Sequence, residues 1–114
     1  MNLYTGVFRS GDVRGLYQQE IDEDFAYLFG HAFAEHFGLS GRVATGRDSR
    51  ESSQDLQQAL NAGLQSAANN VSDLGLCTTE LVYFASMQAG FDAAIMVTGS
   101  HNPINSNGFK CVLA

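Results

Sequence analysis

Lysine and proline each occur once in this 114-residue chain and cysteine twice, and no apolar run approaches the ~20 residues that a bilayer span requires. Each shortage excludes something. Without a long apolar stretch there is no candidate membrane-spanning segment. Without a basic n-region leading into an apolar h-region there is no signal peptide, and the expected compartment is the cytoplasm. Six basic residues against twelve acidic ones leave a net charge of −6, which argues against nucleic-acid binding, where a basic footprint is expected. Cys77 and Cys111 fit no metal-ligand or redox spacing and lie among apolar residues. They are expected as reduced, buried thiols rather than a disulfide framework. Internal repeats, low-complexity tracts and linkers are also missing. The length therefore reads as one domain, large enough to bury about two-thirds of its unfolded surface.

The few cations are unevenly placed. Arg9, Arg14, Arg42, Arg47, Arg50 and Lys110 all fall at predicted strand ends or in Gly/Ser-containing loops, whereas Asp22, Glu23, Asp24, Glu51, Asp55 and Glu80 open predicted helices. Cations confined to loops can focus positive potential on one small anion; they can equally be ordinary loop charges.

Leu3–Phe8 is expected as a first strand, then a loop from Arg9 to Gly15 whose glycines permit tight turns, then a short extended piece at Leu16–Tyr17. Asp22 has N-cap chemistry, and Phe25, Leu28, Phe29, Ala32, Phe33 and Phe37 recur at helical steps up to Gly38, a C-terminal stop. His31 and His36, inside that helix, have no partner at metal spacing and read as surface or core-edge residues. Arg42–Thr45 reads as a strand. Ser52 or Ser53 caps a second helix with Leu56, Ala59, Leu60, Gly63, Leu64 and Ala67 on one face. Val71–Cys77 is a strand, and Thr78 or Thr79 caps a third helix that carries Leu81, Phe84, Ala85 and Met87. Ala93–Val97 is a buried strand and Phe109–Leu113 a last one. The β-α-β-α-β order from Arg42 gives parallel strands with right-handed crossovers, and the helix-free loop before the last strand turns it antiparallel. The expected fold is α/β: three α/β/α layers around a mixed, mainly parallel sheet of about four strands, the last antiparallel. Residues 1–114 are expected to form one domain, and the ending at Ala114, inside an apolar strand, reads as a domain cut from a longer chain.

Chemistry is expected where Ala93–Val97 runs out into Thr98-Gly99-Ser100-His101-Asn102-Pro103, since ligands bind outside the carboxyl ends of strands in open α/β sheets. Ser100 can act as a nucleophile or carry a phosphoryl group, and Gly99 leaves room for backbone amides to approach an anion. Ser-His adjacency alone is equally a loop coincidence, because strand neighbours point opposite ways. Lys110, the single lysine, starts the strand that returns beside Ser100. It is a proton-transfer candidate or a solvated strand-end charge. Arg47 and Arg50 bracket Asp48 after the Arg42–Thr45 strand, and Arg14 belongs to the earlier loop. In a parallel sheet these loops meet on one edge, where guanidinium forks suit phosphate or pair with Asp48.

Thr98-Gly99-Ser100-His101-Asn102-Pro103, followed by Asn107-Gly108-Phe109-Lys110, resembles the phosphoserine loop of the α-D-phosphohexomutases, most of all the phosphomannomutase/phosphoglucomutase group. Gly46-Arg47-Asp48-Ser49-Arg50, and Phe8-Arg9 through Asp12-Val13-Arg14-Gly15, match motifs of the same family in order and spacing. The resemblance spans nearly the whole chain but only the first of that family's four domains, an N-terminal α/β/α domain. It implies that Ser100 is phosphorylated in the resting enzyme and hands its phosphoryl group to a hexose monophosphate of glucose or mannose. A hexose 1,6-bisphosphate then reorients and returns the other phosphoryl group. It implies a Mg²⁺ ion on the phosphate of Ser100, proton transfer by His101 or Lys110, and Arg14 near the reacting phosphoryl group. Arg47, Asp48, Arg50 and Asn102 are implied as loop support. Gly11 stands where the family often has a substrate-contacting tyrosine, so that contact is removed. The family's metal loop of three aspartates, its sugar loop and its phosphate clamp belong to later domains, and Asp22-Glu23-Asp24 does not replace the metal loop. The implied partners are a phosphorylated hexose and the remaining domains of the same enzyme, with neither nucleic acid nor membrane, and the isolated domain is expected to be inactive. A non-catalytic anion-binding or regulatory module is the rival reading. A serine hydrolase lacks the Gly-x-Ser-x-Gly elbow and an acid to orient His101.

Overall fold

The computed structural model describes residues 8–9, 12–67, 69–99 and 103–113. Along them run β1 (Phe8–Arg9), β2 (Asp12–Leu16), α1 (Glu23–His36), β3 (Arg42–Arg47), α2 (Ser53–Ser66), β4 (Asn70–Leu76), α3 (Thr79–Ser86), β5 (Phe91–Val97) and β6 (Ser106–Leu113). The sheet has the order β1-β2-β6-β5-β3-β4. β3 pairs in parallel with β4 and β5, as the two helical crossovers require. β6 runs antiparallel to both β5 and β2, and β1 antiparallel to β2. The α/β class, the mixed sheet and the antiparallel last strand are therefore as expected, but the sheet has six strands rather than about four, and it is not mainly parallel: three of its five pairings among the described residues are antiparallel because β1 and β2 join through β6.

The extra strands come from the stretch expected to be a loop. Its glycines suggest turns, yet Asp12–Leu16 lies along Lys110–Ser106, with Val13 opposite Phe109 and Arg14 opposite Gly108. That pairing also starts β6 at Ser106, three residues before the expected Phe109. Gly108 is needed there for close approach, because a Cβ on it would overlap the Val13 carbonyl. Arg14 thus sits within a strand and not in a loop. Of the first expected strand only Phe8 is among the described residues, where it pairs with Val13.

Two layers of different thickness flank the sheet. On one face α1 and α2 cover Val13, Val43, Ile95, Val97 and Phe109. α1 is capped as expected: Asp22 Oδ1 accepts from Phe25 N at 2.8 Å. At its end Gly38 has φ +63°, and Gly38 N and Leu39 N donate to the Glu35 and Ala34 carbonyls. The expected stripe is rotated, however. Phe25 is buried together with Ala26, Gly30 and Ala34, while Leu28 and Phe37 are nearly half exposed. The reason is the close crossing with α2, where a Cβ on Gly30 would stand 2.6 Å from the Leu60 carbonyl and one on Gly63 would overlap that of Tyr27. Small residues win where backbones touch; the phenylalanines Phe25 and Phe29 turn toward the sheet and stack on Phe109.

On the other face α3 alone covers Ala44, Ala94 and Met96, chiefly with Val82. Leu81, Phe84 and Met87 of this segment are exposed. The outer strand β4 is bent by an extra residue between its Thr45–Asp73 and Leu76–Arg47 pairs, where Gly75 takes φ +67°. Cys77 and Cys111 are only partly buried, not fully as expected. No described helix is long and apolar enough to cross a membrane.

Candidate functional site

β3 and β5 end side by side because they are parallel neighbours, so the segments that follow them meet. Asp48 N donates to the Val97 carbonyl at 3.0 Å. The Asp48 carboxylate then gathers donors from three stretches of chain. Oδ1 accepts from Ser53 Oγ at 2.5 Å and Arg50 N at 3.1 Å; Oδ2 accepts from Thr98 Oγ1 at 2.9 Å and Gly99 N at 3.0 Å. Arg50 Nε lies 3.3 Å from Oδ2. Burial pushes this carboxyl up, but the hydrogen bonds from Ser53, Gly99, Arg50 and Thr98 outweigh it and hold Asp48 below the usual carboxylate value.

Arg50 grips the far side of the same segment. Its Nη1 donates to the Pro103 carbonyl at 2.6 Å and the Ser106 carbonyl at 3.1 Å. Its guanidinium lies against Gly99, where any Cβ would collide with it. The glycine is what lets a planar cation lie flat on the chain.

β2 and β6 bring two further candidates to one side of the sheet. Val13 and Phe109 face the α1/α2 core. Arg14, opposite Gly108, and Lys110, opposite Asp12, therefore share the other side. Thr98 N donates to the Gly108 carbonyl at 2.9 Å, which sets the residue two before Ser100 beside the strand position facing Arg14. Lys110 lies inside β6 rather than at its start. Arg47 closes β3, and its carbonyl accepts from Cys77 N at 3.1 Å. Burial raises the Cys77 thiol above its ordinary value, against a hydrogen bond from the Arg47 backbone.

Ser100, His101, Asn102 and Gly11 lie outside the described residues. What sequence reasoning passes over is a second polar group under the segment. Asn107 and Ser53 are fully buried. Asn107 Nδ2 donates to Ser52 Oγ at 2.8 Å and Ser53 Oγ at 2.9 Å, and Asn107 Oδ1 accepts from Gly108 N at 2.9 Å. The sequence signals for it are the pair Asn107-Gly108 ahead of Phe109-Lys110 and, at Ser53, helix-start chemistry alone.

Among the described residues no three of His, Cys, Asp or Glu converge to hold a metal ion. The acidic run at the start of α1 is committed elsewhere: Asp22 caps the helix, and Glu23 accepts from the Tyr17 hydroxyl, which with burial drives the phenol up to about 12. The described residues therefore do not fit a Mg²⁺ cage. A groove of about 650 Å³ runs past Tyr17, Arg50, Ser52 and Ile104, but Glu51 and Asp55 also line it, a setting that repels a phosphorylated ligand.

Residues 5–114 match the family model described as phosphoglucomutase/phosphomannomutase, alpha/beta/alpha domain I. A phosphomannomutase of Escherichia coli is 45% identical over 105 residues, covering 92% of this chain and 23% of the relative. A phosphoglucomutase of Neisseria gonorrhoeae is 37% identical over 109 residues, covering 94% of this chain and 24% of the relative. The crystal structure of a phosphoglucomutase/phosphomannomutase family protein from Burkholderia thailandensis superposes with a TM-score of 0.89 at 37% identity, over 98% of this chain and 27% of that one. The chain thus spans about a quarter of the length of these relatives.

Proposed function

The chain belongs to the phosphoglucomutase/phosphomannomutase family, as its α/β/α domain I, and from that premise we propose that it is the phosphoryl-carrying N-terminal domain of an enzyme interconverting hexose 1-phosphate and hexose 6-phosphate. The substrate class is phosphorylated glucose or mannose, as the names of the E. coli and N. gonorrhoeae relatives suggest.

In this reading Ser100 carries the phosphoryl group. The free hydroxyl of a hexose monophosphate attacks that phosphorus. A new O–P bond forms to the sugar as the Ser100 Oγ–P bond breaks, and the hydroxyl proton passes to His101 or Lys110. The bisphosphorylated sugar turns over within the site. Ser100 Oγ then attacks the other phosphoryl group and recovers its phosphate, while the sugar oxygen regains a proton. Arg14 offsets charge that builds on the transferring group. Asp48, Arg47, Arg50 and Asn102 support the loop. Any Mg²⁺ would draw its protein ligands from outside the described residues, and no step here is routed through it.

The observation that carries the proposal is the alignment of Arg14 and Lys110 on one side of β2 and β6, next to a segment tied down at Thr98, Gly99, Pro103 and Ser106. Surface loop charges need no such backbone-level fixation. The test is Ser100→Ala in the full-length protein. Mutase turnover should vanish, and the intact mass should lose one phosphoryl increment beyond the change of residue. Unaltered turnover would overturn the proposal, as would mutase turnover by residues 1–114 alone.

A further inference from the structure

We propose that Ser53 and Asn107 are positioning residues for phosphoryl transfer: together they form a one-way chain of donors that fixes the Gly99 backbone, and through it the residue that follows. The proposal rests on the phosphoserine reading of Ser100 given above.

The chain of donors has a single polarity. Asn107 Nδ2 supplies its two protons to Ser52 Oγ and Ser53 Oγ. With its acceptor role filled by Asn107, the Ser53 hydroxyl points its own proton at Asp48 Oδ1. The other oxygen, Asp48 Oδ2, receives the Thr98 hydroxyl and the Gly99 amide. Along the branch from Asn107 through Ser53 to Asp48 every proton runs toward the carboxylate, so that branch has one arrangement and no alternative register. Asn107 is held in turn, since its Oδ1 accepts from Gly108 N, whose carbonyl accepts from Thr98 N. The circuit closes on the residue where it began.

Packing does not require this polarity. Ser53 and Asn107 are both fully buried, and burial alone would be served equally by apolar side chains. Polar groups are buried at a cost unless fully bonded. Ser52 precedes α2 with helical backbone angles (φ −76°, ψ −14°), so its side chain makes no capping bond and its hydroxyl oxygen accepts from Asn107. The benefit falls on the residue next in sequence to Gly99, because in-line attack tolerates little displacement of the phosphoryl carrier.

The experiment uses the full-length enzyme with Ser53→Ala, Asn107→Asp, Thr98→Val and Ser53→Thr. Asn107→Asp keeps the shape but replaces the donor by a second carboxylate competing for the one Ser53 proton. Turnover and KM for glucose 1-phosphate and mannose 1-phosphate, melting temperature, and hydrogen exchange at the Gly99 amide are measured on each. The expected result is a kcat lower by about 10- to 100-fold in Ser53→Ala and Asn107→Asp. KM should be unchanged, exchange at Gly99 faster, and both kcat and exchange largely restored in Ser53→Thr. Should Ser53→Ala not fold, Thr98→Val removes another Asp48 donor at nearly equal volume and must show the same kcat loss. A folded Ser53→Ala, Asn107→Asp or Thr98→Val enzyme with undiminished kcat overturns the proposal, as does a kcat loss in any of them without faster exchange at Gly99. A wild-type enzyme without mutase turnover sinks the functional reading instead, and Gly99 exchange then decides the donor chain by itself.

Discussion

α1 and α2 are held to the sheet by shape, whereas the segment linking β5 to β6 is held at its ends by directed bonds. At the helix crossing, Gly30 and Gly63 let two backbones touch, and Leu56, Leu60 and Leu64 are wholly withdrawn from water. Apart from the exposed His31 Nδ1 to Ser66 Oγ bond of 2.7 Å, that contact rests on apposed surfaces and contact area rather than on directed bonds. At the carboxyl edge Asp48 and Arg50 address individual atoms: the Gly99 amide, the Pro103 and Ser106 carbonyls, the Thr98 and Ser53 hydroxyls. One sheet thus uses non-directional burial where it needs stability and counted donors where it needs placement.

That contrast can be broken at four points. The largest expected effect is on the packed side: Leu60→Ala should cost about 3 kcal/mol, read by urea denaturation, because a fully buried leucine leaves a cavity. Next comes Gly63→Ala, at about 2 kcal/mol, because the added Cβ overlaps the Tyr27 carbonyl and the helices must part. If either variant lost turnover in the full-length enzyme beyond its loss of folded protein, the division between stability and placement would fail. On the directed side, Asp48→Asn should cost about 1–2 kcal/mol near neutral pH. Asp48 is held below its ordinary value in the fold, so its contribution is present above the unfolded carboxylate value of about 4 and disappears as pH falls through the lower folded value. The stability gap between wild type and Asp48→Asn should therefore close in acid; a gap independent of pH would mean the carboxylate charge does not hold the segment. The smallest effect belongs to the outer side of α3. Phe84→Ser should change stability by less than about 0.5 kcal/mol, since Phe84 is 60% exposed. A larger loss would show that this thin layer carries more of the fold than its burial suggests.

The parallel half of the sheet was legible in the sequence because its signals are local: apolar runs at Ala93–Val97 and around Val43, an N-cap at Asp22, a stop at Gly38. The same rules place the Asp48 and Thr98 segments on one edge of the sheet. β2 was hidden because Gly11 and Gly15 carry turn chemistry, and only β6, nearly a hundred residues away, turns Asp12–Leu16 into a strand. The rotation of α1 was hidden because apolar periodicity scores large residues, while the helix crossing selects Gly30 and Ala34. The link from Asn107 to Ser53 spans 54 positions and joins two small polar side chains with no pattern of their own. It becomes readable only once the antiparallel return of β6 fixes which side of the strand Asn107 takes.

The position of β6 has a consequence for synthesis. Among the described residues it is the sixth strand in chain order, yet it lies between β2 and β5 and is the only bridge between the β1–β2 hairpin and the β5-β3-β4 block. Until Ser106–Leu113 has left the ribosome, the hairpin has no neighbour and the apolar flank of β5 stands open. A nascent chain halted a few residues early would hold two pieces of sheet that cannot meet, with an unpaired strand edge exposed to any other unfinished chain. Folding of this region during translation is accordingly gated by β6: arrest before Ser106 should yield a protease-sensitive, aggregation-prone species, and arrest once Leu113 has emerged a resistant one.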